Sequence, residues 1–185
     1  YTEGGDGERA VTYWSLAGQH AIERSANLEA AAHLGRGIEL LDALPPSQGR
    51  WRRAIELQSS LGVAFISTKG FTAPGVARTY ERCKELCQLV GDKAGLFTAN
   101  WGLWLGKQNS IQFADADALS GELLDLAEGQ NDPGSSLQAH HAAWTTCFSS
   151  GDLLQTLQHA EAGNGLYDIE AHRSQAFHFG GHDAG

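Results

Sequence analysis

The strongest constraint on the fold is a pattern that returns along the chain. Trp14, Ala17, Gly18 and Ala21, followed by Ala30, Leu34 and Gly37, set a large residue, a small pair and a second small-and-large series at helical spacing. The frame recurs with Leu61, Gly62 and Phe65 before Val76, Tyr80 and Cys83. It recurs again with Trp104 before Ala116, Ser120 and Leu123, and with Trp144 before Thr156, Ala160 and Gly163. Equivalent positions 18, 62, 104 and 144 lie 44, 42 and 40 residues apart. Self-similarity of this kind marks stacked supersecondary units, each with an apolar face uncovered until its neighbour packs on it. Small residues at Gly18, Ala30 and Gly62 predict close helix approaches, with bulky partners filling the volume around them.

The first unit is close to the tetratricopeptide signature, whose units run to about 34 residues. The longer spacing predicts extended helices or longer connections. The expected fold is all-α, with tetratricopeptide-like antiparallel helix hairpins stacked in a right-handed solenoid across a single domain, 1–185. Helices are expected over 8–24, with Asp6 as N-cap and a turn at Ser25 and Asn27, and over 28–44, stopped by Pro45-Pro46-Ser47. The next pair, 51–67 and 75–90, is joined through the breaker-rich stretch Lys69-Gly70-Phe71-Thr72-Ala73-Pro74, read as longer than a tight repeat turn. Asp92 caps a helix reaching Asn109, and 114–128 is its partner. Asp132-Pro133 opens a helix to Ser149, Pro suiting the first helical turn, and 153–165 follows. The hairpins are thus 8–44, 51–90, 93–128 and 133–165, with 169–185 starting another.

With 42% hydrophobic residues the chain is expected to fold. It contains no long apolar run and no basic start followed by an apolar stretch, so neither a membrane partner nor a secretory route is expected, and the reading is cytoplasmic. A net charge of -9 argues against nucleic acid, whose phosphates require clustered Lys and Arg; Arg50, Arg52 and Arg53 are too few. Tyr at position 1, the absence of Met and the ending Gly180-Gly181-His182-Asp183-Ala184-Gly185 suggest an excised piece of a larger chain. A cut repeat end exposes core surface, and a homodimer through such ends, or fraying there, is expected.

Further stretches carry a family likeness. Ala10-Val11-Thr12-Tyr13-Trp14, Ala17-Gly18-Gln19 and Glu23-Arg24-Ser25-Ala26-Asn27 resemble the C-terminal tetratricopeptide region of bacterial class III adenylate or guanylate cyclases that also carry an AAA-like signalling ATPase. Thr68-Lys69-Gly70-Phe71, Trp101-Gly102-Leu103-Trp104, Leu166-Tyr167-Asp168 and Phe179-Gly180-Gly181-His182-Asp183 follow in the same order. The resemblance implies a parent that makes a cyclic nucleotide or hydrolyses ATP elsewhere. It implies a non-catalytic role for this part, as a protein-interaction or sensory module.

The residues themselves offer little chemistry. Gly102-Leu103-Trp104-Leu105-Gly106-Lys107-Gln108 is one residue short of a phosphate-binding loop, lacks its hydroxyl and falls mid-helix, where the amides are already used. No catalytic residue and no cofactor is expected. His178 and His182 have a ligand spacing spoiled by intervening glycines, and no metal is expected there. His140 and His141 point apart on a helix, so at most one lines a surface and the other packs. Cys83, Cys87 and Cys147 read as free, buried or partly buried thiols.

In tetratricopeptide folds the first helix of each hairpin lines the concave surface. That frame names Gln19, Glu23, Ser59, Val63, Trp101, Leu105, Gln108, His141, Thr145 and Phe148 as the partner-binding groove. These positions contain no Lys or Arg, so an acidic-tail clamp is not expected, and a neutral or apolar helix or extended segment is. Two other readings remain: a small-ligand sensor with an aromatic pocket near Trp101, Trp104 and Trp144, and a structural spacer.

Overall fold

The computed structural model describes residues 3–130 and 132–168. The hairpin expected at 169–185, with His178 and His182, lies outside the described residues. Among these there are eight helices and no strand: α1 (Glu3–Glu23), α2 (Asn27–Asp42), α3 (Gln48–Lys69), α4 (Pro74–Val90), α5 (Lys93–Asn109), α6 (Phe113–Gln130), α7 (Pro133–Ser150) and α8 (Leu153–Leu166). They fall into two compact units, Tyr1–Gly95 and Leu96–Gly185. None of the helices is long and apolar enough to cross a membrane.

In the first unit, α1 packs on α2, α2 on α3, α3 on α4, and α1 also meets α3. α1 begins at Glu3, so Asp6 lies inside the helix and not at its N-cap. The expected turn is present: Ser25 takes a left-handed φ of 59° while its N–H and that of Ala26 bond back to Ile22 O and Ala21 O. α2 stops at Asp42, before the prolines. Arg50 then closes the linker by donating to Asp42 Oδ1 at 2.8 Å and to Leu44 O at 2.9 Å. Ser47 Oγ accepts the Arg50 N–H at 3.1 Å, and this cap starts α3 at Gln48, ahead of the apolar periodicity at Trp51.

α3 also runs on to Lys69, where Gly70, at φ 81°, ends it with its N–H bonded to Ile66 O. The connection to α4 is therefore only 70–73, and the expected long link is absent. The extra length of the repeat lies in the helices, 21 residues in α1 and 22 in α3.

The close approaches expected at glycine are present. A Cβ built on Gly18 would lie 2.6 Å from the Leu34 side chain, and one on Gly62 only 2.5 Å from Tyr80 Cζ. Ala21, Ala30 and Ala64 form a fully buried cluster through which α1, α2 and α3 come together.

In the second unit α6 packs on α7 and α7 on α8. Three aspartates mark helix starts by accepting the N–H three residues on: Asp92 from Gly95 for α5 at 3.0 Å, Asp132 from Ser135 for α7 at 2.8 Å, and Asp152 from Gln155 for α8 at 3.0 Å. Gly163 of α8 takes the Trp144 ring so closely that a Cβ there would lie 2.4 Å from it.

The repeat shows itself in hydrogen bonds between the first helices of neighbouring hairpins. Arg53 of α3 donates to Thr12 of α1, 41 residues away. Trp104 Nε1 of α5 donates to Thr146 Oγ1 of α7 at 2.9 Å, 42 residues away, and Gln108 Nε2 to Ser149 Oγ at 2.6 Å, 41 residues away. Within each unit these contacts are spaced by one period of the sequence pattern. This packing is compatible with a helical-repeat solenoid.

Candidate functional site

The seam between α1 and α3 is open. Its floor is apolar, made by Val11 at 0% and Leu57 at 2% exposure. Thr12, Ser15, Leu16 and Gln19 of α1 and Arg53 and Glu56 of α3 line the rest of a cleft of about 180 Å3. The spacing of 12, 15, 16 and 19 puts the α1 residues on one helical face. Arg53 and Glu56, three apart on α3, bring opposite charges to the opposite wall. Leu16 is half exposed at the rim, at 52%.

The equivalent seam between α5 and α7 is filled. The Trp101 and Trp104 rings lie 4.8 Å apart, His141 stands edge-on to them at 5.6 and 6.1 Å, and His141 stacks on Trp144 at 4.9 Å. Trp104 is 1% exposed, with its indole N–H committed to Thr146. Thr146 Oγ1 in turn donates to Ala142 O at 2.9 Å. The contrast is one of side-chain type: aromatic rings pack at the α5–α7 seam, whereas the α1–α3 seam carries no ring and is lined by aliphatic, polar and charged side chains.

Among the ten groove positions read from the sequence, Gln19 lies in the α1–α3 cleft and Glu23 is exposed one turn further along α1. Ser59 turns toward α4, with its hydroxyl 3.3 Å from Cys83 Sγ, and Val63 is half-buried. Trp101, Leu105 and His141 are buried. Gln108 and Thr145 are half-buried at the α5–α7 seam, where Gln108 Nε2 donates to Thr145 O at 3.5 Å. Phe148 is 66% exposed, and Leu153, Leu154 and Leu157 of α8 are each more than half exposed.

The sequence reading missed Thr12, Ser15, Leu16, Arg53 and Glu56 as cleft residues. The signal for the α1 members was the face carrying Gln19, continued by whole turns toward the N-terminus. Arg53 belonged to a basic trio treated as one patch. The fold separates them, since Arg50 closes the α2–α3 linker and Arg53 enters the cleft.

The three cysteines are free thiols, two buried and Cys147 partly buried. Cys87 is pushed well up by its hydrogen bond to Cys83 and by burial. Burial also raises Cys147. Of the adjacent histidines, His141 packs, while His140 is half-buried with its Nδ1 3.0 Å from His159 Nδ1 across the α7–α8 hairpin. Burial, and then the neighbouring His159, hold the His140 imidazole below its ordinary value. No cluster of three or more His, Cys, Asp or Glu able to hold a metal occurs among the described residues.

No family model and no solved structure matches the chain. A curated relative, the uncharacterized protein R02095 of Rhizobium meliloti (strain 1021), is 29% identical over 179 residues. The match takes in 96% of this chain and 17% of that protein, so the chain spans less than a fifth of the length of the relative it matches.

Proposed function

We propose that this chain is a non-catalytic, tetratricopeptide-like interaction module that holds a peptide segment along the α1–α3 cleft. The observation that carries the reading is the contrast between two equivalent seams, one closed by aromatic rings and one open with an apolar floor and polar walls. A cleft of about 180 Å3 is smaller than the roughly 300–1,000 Å3 of ordinary small-molecule pockets. It suits one or two side chains of a longer segment laid along the helices. Gln19 offers both a donor and an acceptor to a peptide backbone, and the floor of Val11 and Leu57 takes an apolar side chain. One Arg balanced by one Glu provides no convergent positive field, so the preferred segment is neutral or apolar and not an acidic tail.

By its resemblance to the repeat regions of cyclase-ATPase proteins, the module docks a partner or another domain of a bacterial signalling chain and regulates its output. Its hairpins stack as a right-handed solenoid in this reading. The exposed Leu153, Leu154 and Leu157 of α8 supply an apolar face for a homodimer.

Panning a random peptide library on the chain, with counter-selection on Leu16→Glu and Gln19→Ala variants of unchanged helical circular dichroism, tests the reading. Enrichment of a shared motif that binds the parent chain and not the variants supports it. Enrichment indifferent to both substitutions, or none, overturns it.

A further inference from the structure

The α7–α8 hairpin brings together two imidazoles that lie 19 residues apart in sequence. His140 and His159 meet nitrogen to nitrogen, Nδ1 to Nδ1 at 3.0 Å, with ring centroids 5.2 Å apart and planes inclined by 43°. Both residues are half-buried. Neither makes another polar contact among the described residues, so one ring donates the Nδ1 hydrogen and the other accepts it.

That spacing is also the spacing of two ligands on one metal ion. With metal–imidazole bonds of about 2.0–2.1 Å, nitrogens that keep a separation near 3.0 Å after the rings turn subtend roughly 91–97° at the ion. This is the angle between neighbouring ligands of a square-planar or octahedral ion, and it falls short of the tetrahedral angle zinc prefers. We propose that His140 and His159 form a two-point chelating site for a divalent transition ion of the copper or nickel class. Water completes the coordination sphere.

Entry of the ion requires the shared hydrogen to leave Nδ1 for Nε2 of the same ring, a change of tautomer without net proton release. A turn of the two rings then brings both lone pairs onto one point. Two protein ligands give a labile site, and bound metal staples α7 to α8.

The test is thermal unfolding and calorimetric titration of the whole 185-residue chain with nickel chloride, repeated with zinc chloride. The proposal expects saturable nickel binding and a nickel-dependent rise in melting temperature, larger than with zinc at equal concentration. His140→Gln and His159→Gln should each abolish the rise, while a His178→Gln/His182→Gln variant keeps it. A rise that survives either single substitution, or that disappears only in the His178/His182 variant, places the metal elsewhere and overturns the proposal. Because glutamine at 140 or 159 preserves a hydrogen-bonding side chain, metal-free melting temperatures of the variants report separately on whether the hairpin itself is intact.

Discussion

Substitution of Gly62 by alanine separates helix propensity from packing at the tightest glycine approach among the described residues of the first unit. Alanine in a helix interior is favoured over glycine by about 0.8–1.0 kcal/mol, so propensity alone predicts a gain. At position 62 the new Cβ would sit 2.5 Å from Tyr80 Cζ and 2.8 Å from both Cε2 and the hydroxyl oxygen. Tyr80 is 3% exposed, so its ring cannot swing out to solvent without helix α4 giving way with it. Overpacking of this kind costs about 1–3 kcal/mol. The net expectation is a loss of up to about 2 kcal/mol.

Gly35→Ala in the same unit supplies the control, because nothing lies within 4 Å of its built Cβ and the substitution should stabilise by nearly the full propensity term. The difference between the two variants, about 1–3 kcal/mol, is the steric contribution alone. Urea unfolding followed by helical circular dichroism measures both. In a Tyr80→Leu background the penalty at 62 should disappear, which a double-mutant cycle reads directly. Equal stabilisation by Gly62→Ala and Gly35→Ala would refute the packing argument.

Other consequences are as direct. Gly163→Ala should destabilise the second unit, since its Cβ would lie 2.4 Å from the Trp144 ring, and the shift should appear in tryptophan emission during unfolding. Ile111, a β-branched residue at φ 61° and 75% exposed, should be replaceable by glycine with a gain of about 1 kcal/mol, read as a higher urea midpoint. Thr146→Val leaves the buried Trp104 N–H without its acceptor and should cost about 1–3 kcal/mol by the same assay. Ellman's reagent should titrate Cys147 first and reach Cys83 and Cys87 only in denaturant, as both are buried and Cys87 strongly holds its proton.

Much of the architecture is legible in the sequence because its causes are local. Asp92, Asp132 and the close helix approach at Gly18 act over a few residues or one hairpin, and the local sequence pattern reports them. Where local signals compete, the reading slips: Ser47 looks like part of a breaker and is the cap that starts α3 early. Asp6 looks like a cap and is inside α1. The cleft is less legible because it depends on helix rotation. A turn of α3 sends Ser59 to Cys83 and Arg53 to Thr12, and neighbouring positions on one helix cannot reveal which direction meets the next hairpin. The His140–His159 pair is invisible for the same reason, since it exists only once α8 folds back on α7.

The central claim is that the α1–α3 cleft receives a peptide segment, and backbone amide chemical-shift mapping with a library-selected peptide tests it most directly. The account predicts perturbations concentrated at Thr12, Ser15, Leu16, Gln19, Arg53 and Glu56, and lost in the Leu16→Glu variant. Perturbations centred on α7 and α8, or a peptide that binds the variant equally well, would contradict it.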